Sequence, residues 1–351
     1  MAKFLQCCPL CGSSDIKEWL WASDPHYGIP GSHRLAKCGS CSLVFLNPMH
    51  SEDELKALYP EDYYAYQEDI PAGPLKARAK KLLGYWQGTK DPEFDAPGEM
   101  LDIGCGVGSF LTKMRDRGWS VRGVEINESA ARRAQAKRLD VFCGSLLDAQ
   151  FPSEAFDYIR ASHSFEHMTR PHETLDEVYR LLRPGGKLLI AVPNYRSFAA
   201  RIFAENWYHL CPPVHAFQYS VTTLARLLKM HNFDVNSVIF NSHYAGVLGS
   251  LQIRLNRHTG QKSFEGRVFN SYGLRVFSGW IENAADLLKL GDMVEVSASK
   301  APLRANHRLC QNKLHGAPHK PNRAAERSIF MRVEPLTPFR PHKPAPPIVG
   351  A

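Results

Sequence analysis

No stretch of this 351-residue chain approaches the roughly 20 consecutive apolar residues that a membrane-spanning helix needs. The longest apolar run, Lys187 to Val192, is only the size of a strand. The first residues, Met1-Ala2-Lys3-Phe4-Leu5-Gln6-Cys7-Cys8, lack the apolar stretch of about 7–15 residues that a secretory signal requires, which argues for a cytoplasmic protein. Internal repeats are absent. Unbalanced charge is scarce too, once it is located. The chain carries +8, but in residues 301–351 nine Lys and Arg face only Glu326 and Glu334, so +7 sits there and about +1 remains for everything before. The isoelectric point of 9.0 is therefore a property of the tail. The first 48 residues hold no Lys/Arg cluster, so nucleic acid is not the favoured partner. What remains, with 44% apolar and 22% charged residues, is the composition of an ordinary globular enzyme.

Cysteine, by contrast, is plentiful: nine in a chain without an export signal read as ligands or buried thiols rather than disulfides. Cys8-Pro9-Leu10-Cys11 and Cys38-Gly39-Ser40-Cys41 are two Cys-x-x-Cys knuckles with 26 residues between them. Tetrahedral zinc takes four thiolates from two such turns, so Cys8, Cys11, Cys38 and Cys41 are candidate ligands of a structural zinc. Gly12 and Gly39 are expected to let backbone amides approach the sulfurs. A site closed by four thiolates has no open position, so the metal organises the fold and does no chemistry.

The rest divides by rhythm. Residues 1–48 are Cys-punctuated and almost without helical periodicity. Residues 49–98 form a Pro-rich connector with short helices expected over 52–58 and 75–83, and with Tyr59, Tyr63, Tyr64, Tyr66, Tyr85 and Trp86 to bury. From 99 to 300 strands and helices alternate: strands at 100–103, 121–125, 140–143, 156–161 and 187–192, then a pair at 234–240 and 293–298. Helices are expected at 110–117, 127–137, 173–182 and 223–231. That alternation predicts an α/β fold with a mostly parallel sheet covered on both faces. An aromatic, Pro-rich insert at 195–220 breaks the rhythm, as segments over active sites do. Residues 301–351, with nine prolines, read as a disordered basic tail.

The most informative stretch is Leu101-Asp102-Ile103-Gly104-Cys105-Gly106-Val107-Gly108-Ser109-Phe110. A glycine-rich turn between strand and helix lets backbone approach a ligand and directs helix N–H groups at its polar end. A dinucleotide fingerprint would need glycine at 109, where this chain has serine. Twenty-three residues after Asp102, Glu125 ends the next strand, where a carboxylate suits the two hydroxyls of a ribose.

This Gly-x-Gly-x-Gly loop resembles motif I of class I S-adenosylmethionine methyltransferases. Phe156-Asp157-Tyr158-Ile159, Phe165-Glu166-His167-Met168, Leu181-Leu182-Arg183-Pro184-Gly185-Gly186 and Val192-Pro193-Asn194 follow in the order of the ubiquinone-biosynthesis-type superfamily. With Leu43 to Pro48, Trp207-Tyr208 and Pro212-Pro213-Val214-His215, residues 5–300 look like bacterial methyltransferases with an N-terminal zinc ribbon, many of them encoded near glycan-synthesis genes. The resemblance implies a Rossmann-like methyltransferase sheet, mostly parallel with an antiparallel closing strand, preceded by a small zinc ribbon. It places Asp102, Gly104, Cys105, Gly106 and Gly108 around the methionine part of S-adenosylmethionine, Glu125 and Ile126 on the ribose, Ser145 and Leu146 beside the adenine, and His163 near the cofactor. Ser145 stands where many relatives have Asp, so Asp148 or a backbone carbonyl is an alternative partner for the adenine amino group. Cys105 reads as a small packed residue rather than a nucleophile.

An oxygen acceptor must lose a proton, and Glu166, His167 and His215, with His163, are the candidate bases. His163-x-x-Glu166-His167 differs from the Glu-x-x-Glu-His metal site of quinone-precursor methyltransferases at its first position, which argues against a magnesium requirement. Trp207, Tyr208 and Phe217 are candidates for a stacking wall or for a packed lid. The expected activity is O-methylation of a small molecule or glycan precursor. An RNA methyltransferase that uses the zinc module and the basic tail, or a silent cofactor-binding scaffold, are the alternatives.

Overall fold

Turn glycines and thiolate knuckles cut the N-terminal part into short strands, whereas longer apolar runs downstream give a second, larger sheet. The computed structural model describes residues 2–58, 94, 96–242, 245–257, 259 and 261–302. The expected helix at 75–83, the aromatic cluster at 59–86 and all of the basic tail beyond residue 302 lie outside them.

The first sheet holds β1 (Ile16–Ala22), β2 (His33–Cys38) and β3 (Val44–Leu46), all antiparallel. Helix α1 (Glu52–Leu58) follows, over the residues expected from sequence. The second sheet begins with β4 (Glu99–Ile103), which runs through the glycine loop into α2 (Ser109–Arg115). Next come β5 (Ser120–Glu125) and α3 (Glu128–Ala136), whose first turn is capped by Asn127 accepting from the Ala130 amide at 2.9 Å. Strands β6 (Asp140–Cys143) and β7 (Phe156–Ser162) precede α4 (Pro171–Leu181), which starts on a proline whose missing N–H costs nothing there. Strand β8 (Leu182–Pro193) completes the parallel set.

The insert contains α5 (Phe198–Phe203) and the two-residue β9 (Phe217–Gln218). Then follow α6 (Val221–Met230), opened by a Ser220/Thr223 capping box, and β10 (Phe233–Phe240). Three helices, α7 (Ala245–Asn256), α8 (Arg267–Asn270) and α9 (Tyr272–Leu287), separate β10 from the last strand, β11 (Met293–Lys300). These three helices between the closing strands were not expected from the residue pattern.

The large sheet has the order β10-β11-β8-β7-β4-β5-β6, parallel from β8 to β6 and antiparallel at β11 and β10. This is the α/β Rossmann-like methyltransferase arrangement. The small sheet has the order β1-β2-β3-β9, so its last strand comes from the insert, with Phe45 opposite Phe217. Phe45 and Phe217 share one buried cluster with Leu101, Ile159 and Val192 of the large sheet. The two sheets therefore share one core. Truncating Phe217, buried where they meet, leaves a cavity that neither sheet can collapse alone. Phe217→Ala is expected to cost roughly 3–5 kcal/mol of stability, read as a lowered denaturant midpoint with an unchanged slope.

Candidate active site and thiolate cage

In an open parallel sheet the natural crevice lies beyond the C-terminal strand ends, where the order reverses. Here β4 is flanked by β5 on one side and β7 on the other, and a cavity of about 320 Å³ opens over their ends. Gly104, Cys105, Gly106, Glu125, Ile126, Ser145, Leu146, His163 and His167 all line it. Asp102, Gly108, Glu166 and His215 are not among the lining residues, and each has a different reason.

Asp102 is buried with both oxygens on the Arg160 guanidinium, at 2.9 and 3.1 Å. Burial pushes its carboxyl up, and the Arg160 charge opposes that. Arg160 itself lines the cavity and stacks on Phe110 at 4.0 Å. No motif marked it in the sequence. Gly108 has φ +76°, and a Cβ there would press on Leu139 and Ala134. Its smallness serves the packing of α2 on α3.

Gly104 combines φ +73° with a neighbour, Ser164, too close for any side chain. The loop amides are already engaged: those of Gly104 and Cys105 bond the Val124 carbonyl, and that of Gly108 bonds the Cys105 carbonyl. The Gly106 amide donates to Glu125 Oε2 at 2.8 Å. The loop therefore offers a ligand close approach rather than a row of spare donors. Glu125 Oε1 also accepts from the Asn127 amide at 2.8 Å. Each carboxylate oxygen keeps a second lone pair for an incoming hydroxyl. Burial raises the Glu125 carboxyl, and the Asn127 and Gly106 amides lower it. Cys105 is pushed up by burial and by Asp102 and Glu125, so it presents a thiol and not a thiolate. The Ser145 hydroxyl is spent on Asp148 at 2.6 Å. Glu52, Leu55 and Lys56 of α1 complete the wall, a contribution no sequence signal announced.

On the β7 flank His163 has φ +55°, an uncommon conformation for a residue with a side chain, and its amide bonds the Ala191 carbonyl. Its Nδ1 lies 3.9 Å from Glu166 Oε1, and His215 Nε2 approaches the same oxygen at 3.9 Å. Glu166 is 1% exposed, and neither of its oxygens accepts a hydrogen bond from another described residue. Burial pushes it up to about 8. Burial likewise lowers His167 to about 4 and holds His215 well below its usual value. His167 Nδ1 donates to the Val214 carbonyl and His215 Nδ1 to the His209 carbonyl, both from the insert. Glu166, His167 and His215 bring donor atoms within 4.8 Å of one another, a spacing that could hold a metal ion.

Trp207 is 1% exposed with its indole N–H on Asp292, and Phe217 is core; both are lid packing rather than an exposed stacking wall. Tyr208 stacks on Phe269 and stands edge-on to His26.

The four knuckle sulfurs also lie within 4.8 Å of one another, with Cys8–Cys41 at 3.5 Å and Cys11–Cys38 at 3.6 Å. A zinc–sulfur bond of about 2.3 Å in a tetrahedron separates sulfurs by roughly 3.8 Å, so this cage is zinc-sized. The same sulfur–sulfur hydrogen bonds lower Cys11 and raise Cys8 and Cys41, so the four thiols share their protons closely. The Cys41 amide reaches the Cys38 sulfur at 3.5 Å, and the amides of Cys11, Ser13 and Leu43 face the sulfurs of Cys8, Cys11 and Cys41. Gly12 supplies a turn with φ +70°, and Gly39 leaves room for Asp15. The first knuckle is tied to the large domain through His172, which bonds the Pro9 carbonyl at 2.9 Å and His231 at 2.8 Å; His231 bonds Asp176 at 2.7 Å.

Residues 72–238 match the family model of a methyltransferase domain. A probable S-adenosylmethionine-dependent methyltransferase of Mycolicibacterium smegmatis is 27% identical over 152 residues, 42% of this chain and 57% of that protein. The chain thus spans little more than half of that relative's length. The ubiquinone biosynthesis O-methyltransferase of Idiomarina loihiensis is 25% identical over 200 residues, 52% of this chain and 81% of that protein. Among solved structures, an S-adenosylmethionine-dependent methyltransferase from Archaeoglobus fulgidus is 23% identical with a TM-score of 0.41, covering 64% of this chain and 93% of that one. Residues 72–238 are thus similar to methyltransferase domains, and the sheet order and glycine loop are those of a Rossmann-like fold.

Two outcomes check these assignments. Gly106 has φ +55° and lines the cavity, so Gly106→Val is expected to abolish binding of S-adenosylmethionine in calorimetry; undiminished affinity would show that the loop is not the cofactor site. The double variant Cys8→Ser/Cys38→Ser is expected to lose bound zinc by elemental analysis and to melt at lower temperature. A well-folded wild-type protein purified without metal would remove zinc from the account.

Proposed function

We propose that this chain is an S-adenosylmethionine-dependent methyltransferase that methylates a hydroxyl oxygen of a small molecule or glycan precursor, with residues 1–48 as a structural zinc-ribbon module. The observation that carries this reading is one cavity with two chemically different flanks. Glu125 and the glycines stand beside β5 and β4, and His163 and His167, backed by Glu166, beside β7. The O-methylating relative from Idiomarina supports an oxygen acceptor.

S-adenosylmethionine supplies an activated methyl group when bound, so the chain's tasks are alignment and removal of a proton. The free lone pairs of Glu125 take the ribose hydroxyls. Gly104 and Gly106 leave room for the methionine portion, and Gly144, Ser145 and Leu146 face the adenine. The acceptor's proton passes to His163, and the Glu166 carboxylate behind it neutralises the imidazolium so formed. His167 and His215, kept neutral by burial, hold the carboxylate's surroundings free of competing positive charge. The four thiolates of Cys8, Cys11, Cys38 and Cys41 would hold zinc and fix the small sheet.

A pH dependence follows from Glu166. Only the ionised carboxylate can neutralise the imidazolium, and its ionised fraction grows as pH passes about 8. Turnover is expected to rise with pH through that value. Glu166→Gln should flatten the profile and lower the rate roughly 10²-fold. Stability runs the other way. Between the ordinary value of 4.5 and about 8 the native state holds a proton that the unfolded chain has lost, so stability falls as pH rises across that window. Thermal melts of wild type and Glu166→Gln across this range would expose a wrong assignment as parallel curves. The acceptor class is read by incubating the protein with methyl-labelled S-adenosylmethionine and fractionated extract, then identifying labelled species by mass spectrometry. Label confined to RNA would overturn the small-molecule reading.

A further inference from the structure

Helix α9 is built inside out. A surface helix normally turns its apolar stripe inward and its polar face to water. Here Ser278 and Glu282 are buried, and Glu282 accepts from the Val247 amide of α7 at 2.9 Å. On the opposite side Phe277, Trp280, Ala284 and Leu287 recur every three or four residues, which puts them in one stripe. Phe277 is 60%, Trp280 58% and Leu287 86% exposed. Tyr272, Leu274 and Leu288 flank the stripe, all exposed. On α7, Leu251 and Leu255 are also exposed, one turn apart. An uncovered apolar strip of this length marks a surface that meets something.

Charge identifies what it meets. Between residues 251 and 289 stand four exposed cations, Arg254, Arg257, Arg267 and Lys289, while Lys262 is half-buried over Phe264 and Arg275 bonds the Phe269 carbonyl and Asn270. Of the three acids in the same span, Glu282 is buried and Asp286 is engaged by Ser242, which leaves Glu265 as the exposed one. Arg257 additionally faces Glu205 at 3.5 Å. A second copy placed face to face would set this cationic rim against itself. A nucleic acid would answer the rim but has no use for the leucines. An anionic bilayer answers both: aromatic and leucine side chains enter the boundary between headgroups and acyl chains, and Lys and Arg meet lipid phosphates.

We propose that the α7–α9 face docks this protein on an anionic lipid bilayer as a peripheral contact. No described helix is long and apolar enough to cross a membrane, which is consistent with lying on one. The docking needs neither S-adenosylmethionine nor turnover, so it stands or falls apart from the methyl-transfer reading.

The test is co-sedimentation of the full chain with phosphatidylcholine vesicles, with and without phosphatidylglycerol. Binding is expected only with phosphatidylglycerol. It should weaken at least roughly tenfold in Phe277→Asp/Trp280→Asp and in Arg254→Gln/Arg267→Gln. Both variants alter exposed positions, so unchanged melting would show that folding is not the cause. If the aspartate substitutions compromise folding, Trp280→Phe gives a second readout: brominated lipid should quench wild-type tryptophan fluorescence more than that of the variant. Equal vesicle binding by wild type and all variants would assign the contact to the basic tail and overturn the proposal. Absence of binding would also overturn it, as would self-association abolished by Trp280→Asp.

Discussion

The carboxylate of Glu125 decides what the mouth of the large sheet can be. It sits at the tip of β5, 5% exposed, and takes the amides of Gly106 and Asn127 at 2.8 Å each. One bond fixes the glycine loop against the neighbouring strand, and the other fixes the entry to α3. A buried carboxylate without such donors would be strongly disfavoured as an ion. Two amides hold it in place while leaving lone pairs toward the cavity. The loop's shape, the position of α2 and the reach of a ribose into the crevice all follow from this anchor.

A second carboxylate, across β4, is treated in the opposite way. Glu166 is equally buried but receives no donor from another described residue, so desolvation raises it to about 8, whereas at Glu125 two amides offset part of the same effect. In the proposed mechanism the contrast is between a group held for binding and a group held near the working pH for proton chemistry. Both are placed by the ends of parallel strands, but the histidines around Glu166 come from two sources. His163 and His167 are local in sequence, whereas His215 arrives from the insert, oriented by the His209 carbonyl.

Much of the large sheet was legible because its central strands are continuous apolar runs between recognisable turns: β4 through β7 fall within a residue of expectation, and β8 begins five residues early. The glycine loop and Glu125 were legible for the same reason: their spacing is fixed by the strand–turn–strand geometry. The small sheet was not. Its strands are short and partly exposed, and β9 is two residues in a segment that reads as loop. Helix α9 escaped because its polarity is reversed, with Glu282 inside and Trp280 outside. Arg160 and the α1 residues at the cavity wall carry no motif; only the folded chain brings them to the ligand side. The knuckle spacing predicted the thiolate cluster, yet not which amide would face a sulfur.

The origin of β9 has a consequence for how such chains can be recombined. Because Phe217 and Gln218 complete the small sheet from within the insert that also carries His215, the N-terminal module is not a cassette. Swapping residues 1–48 for those of a relative would leave a foreign edge beside a native strand, and the mismatch would be felt in the segment that carries His215. Exchange with a relative would have to move the small sheet's first three strands and the 195–220 segment together.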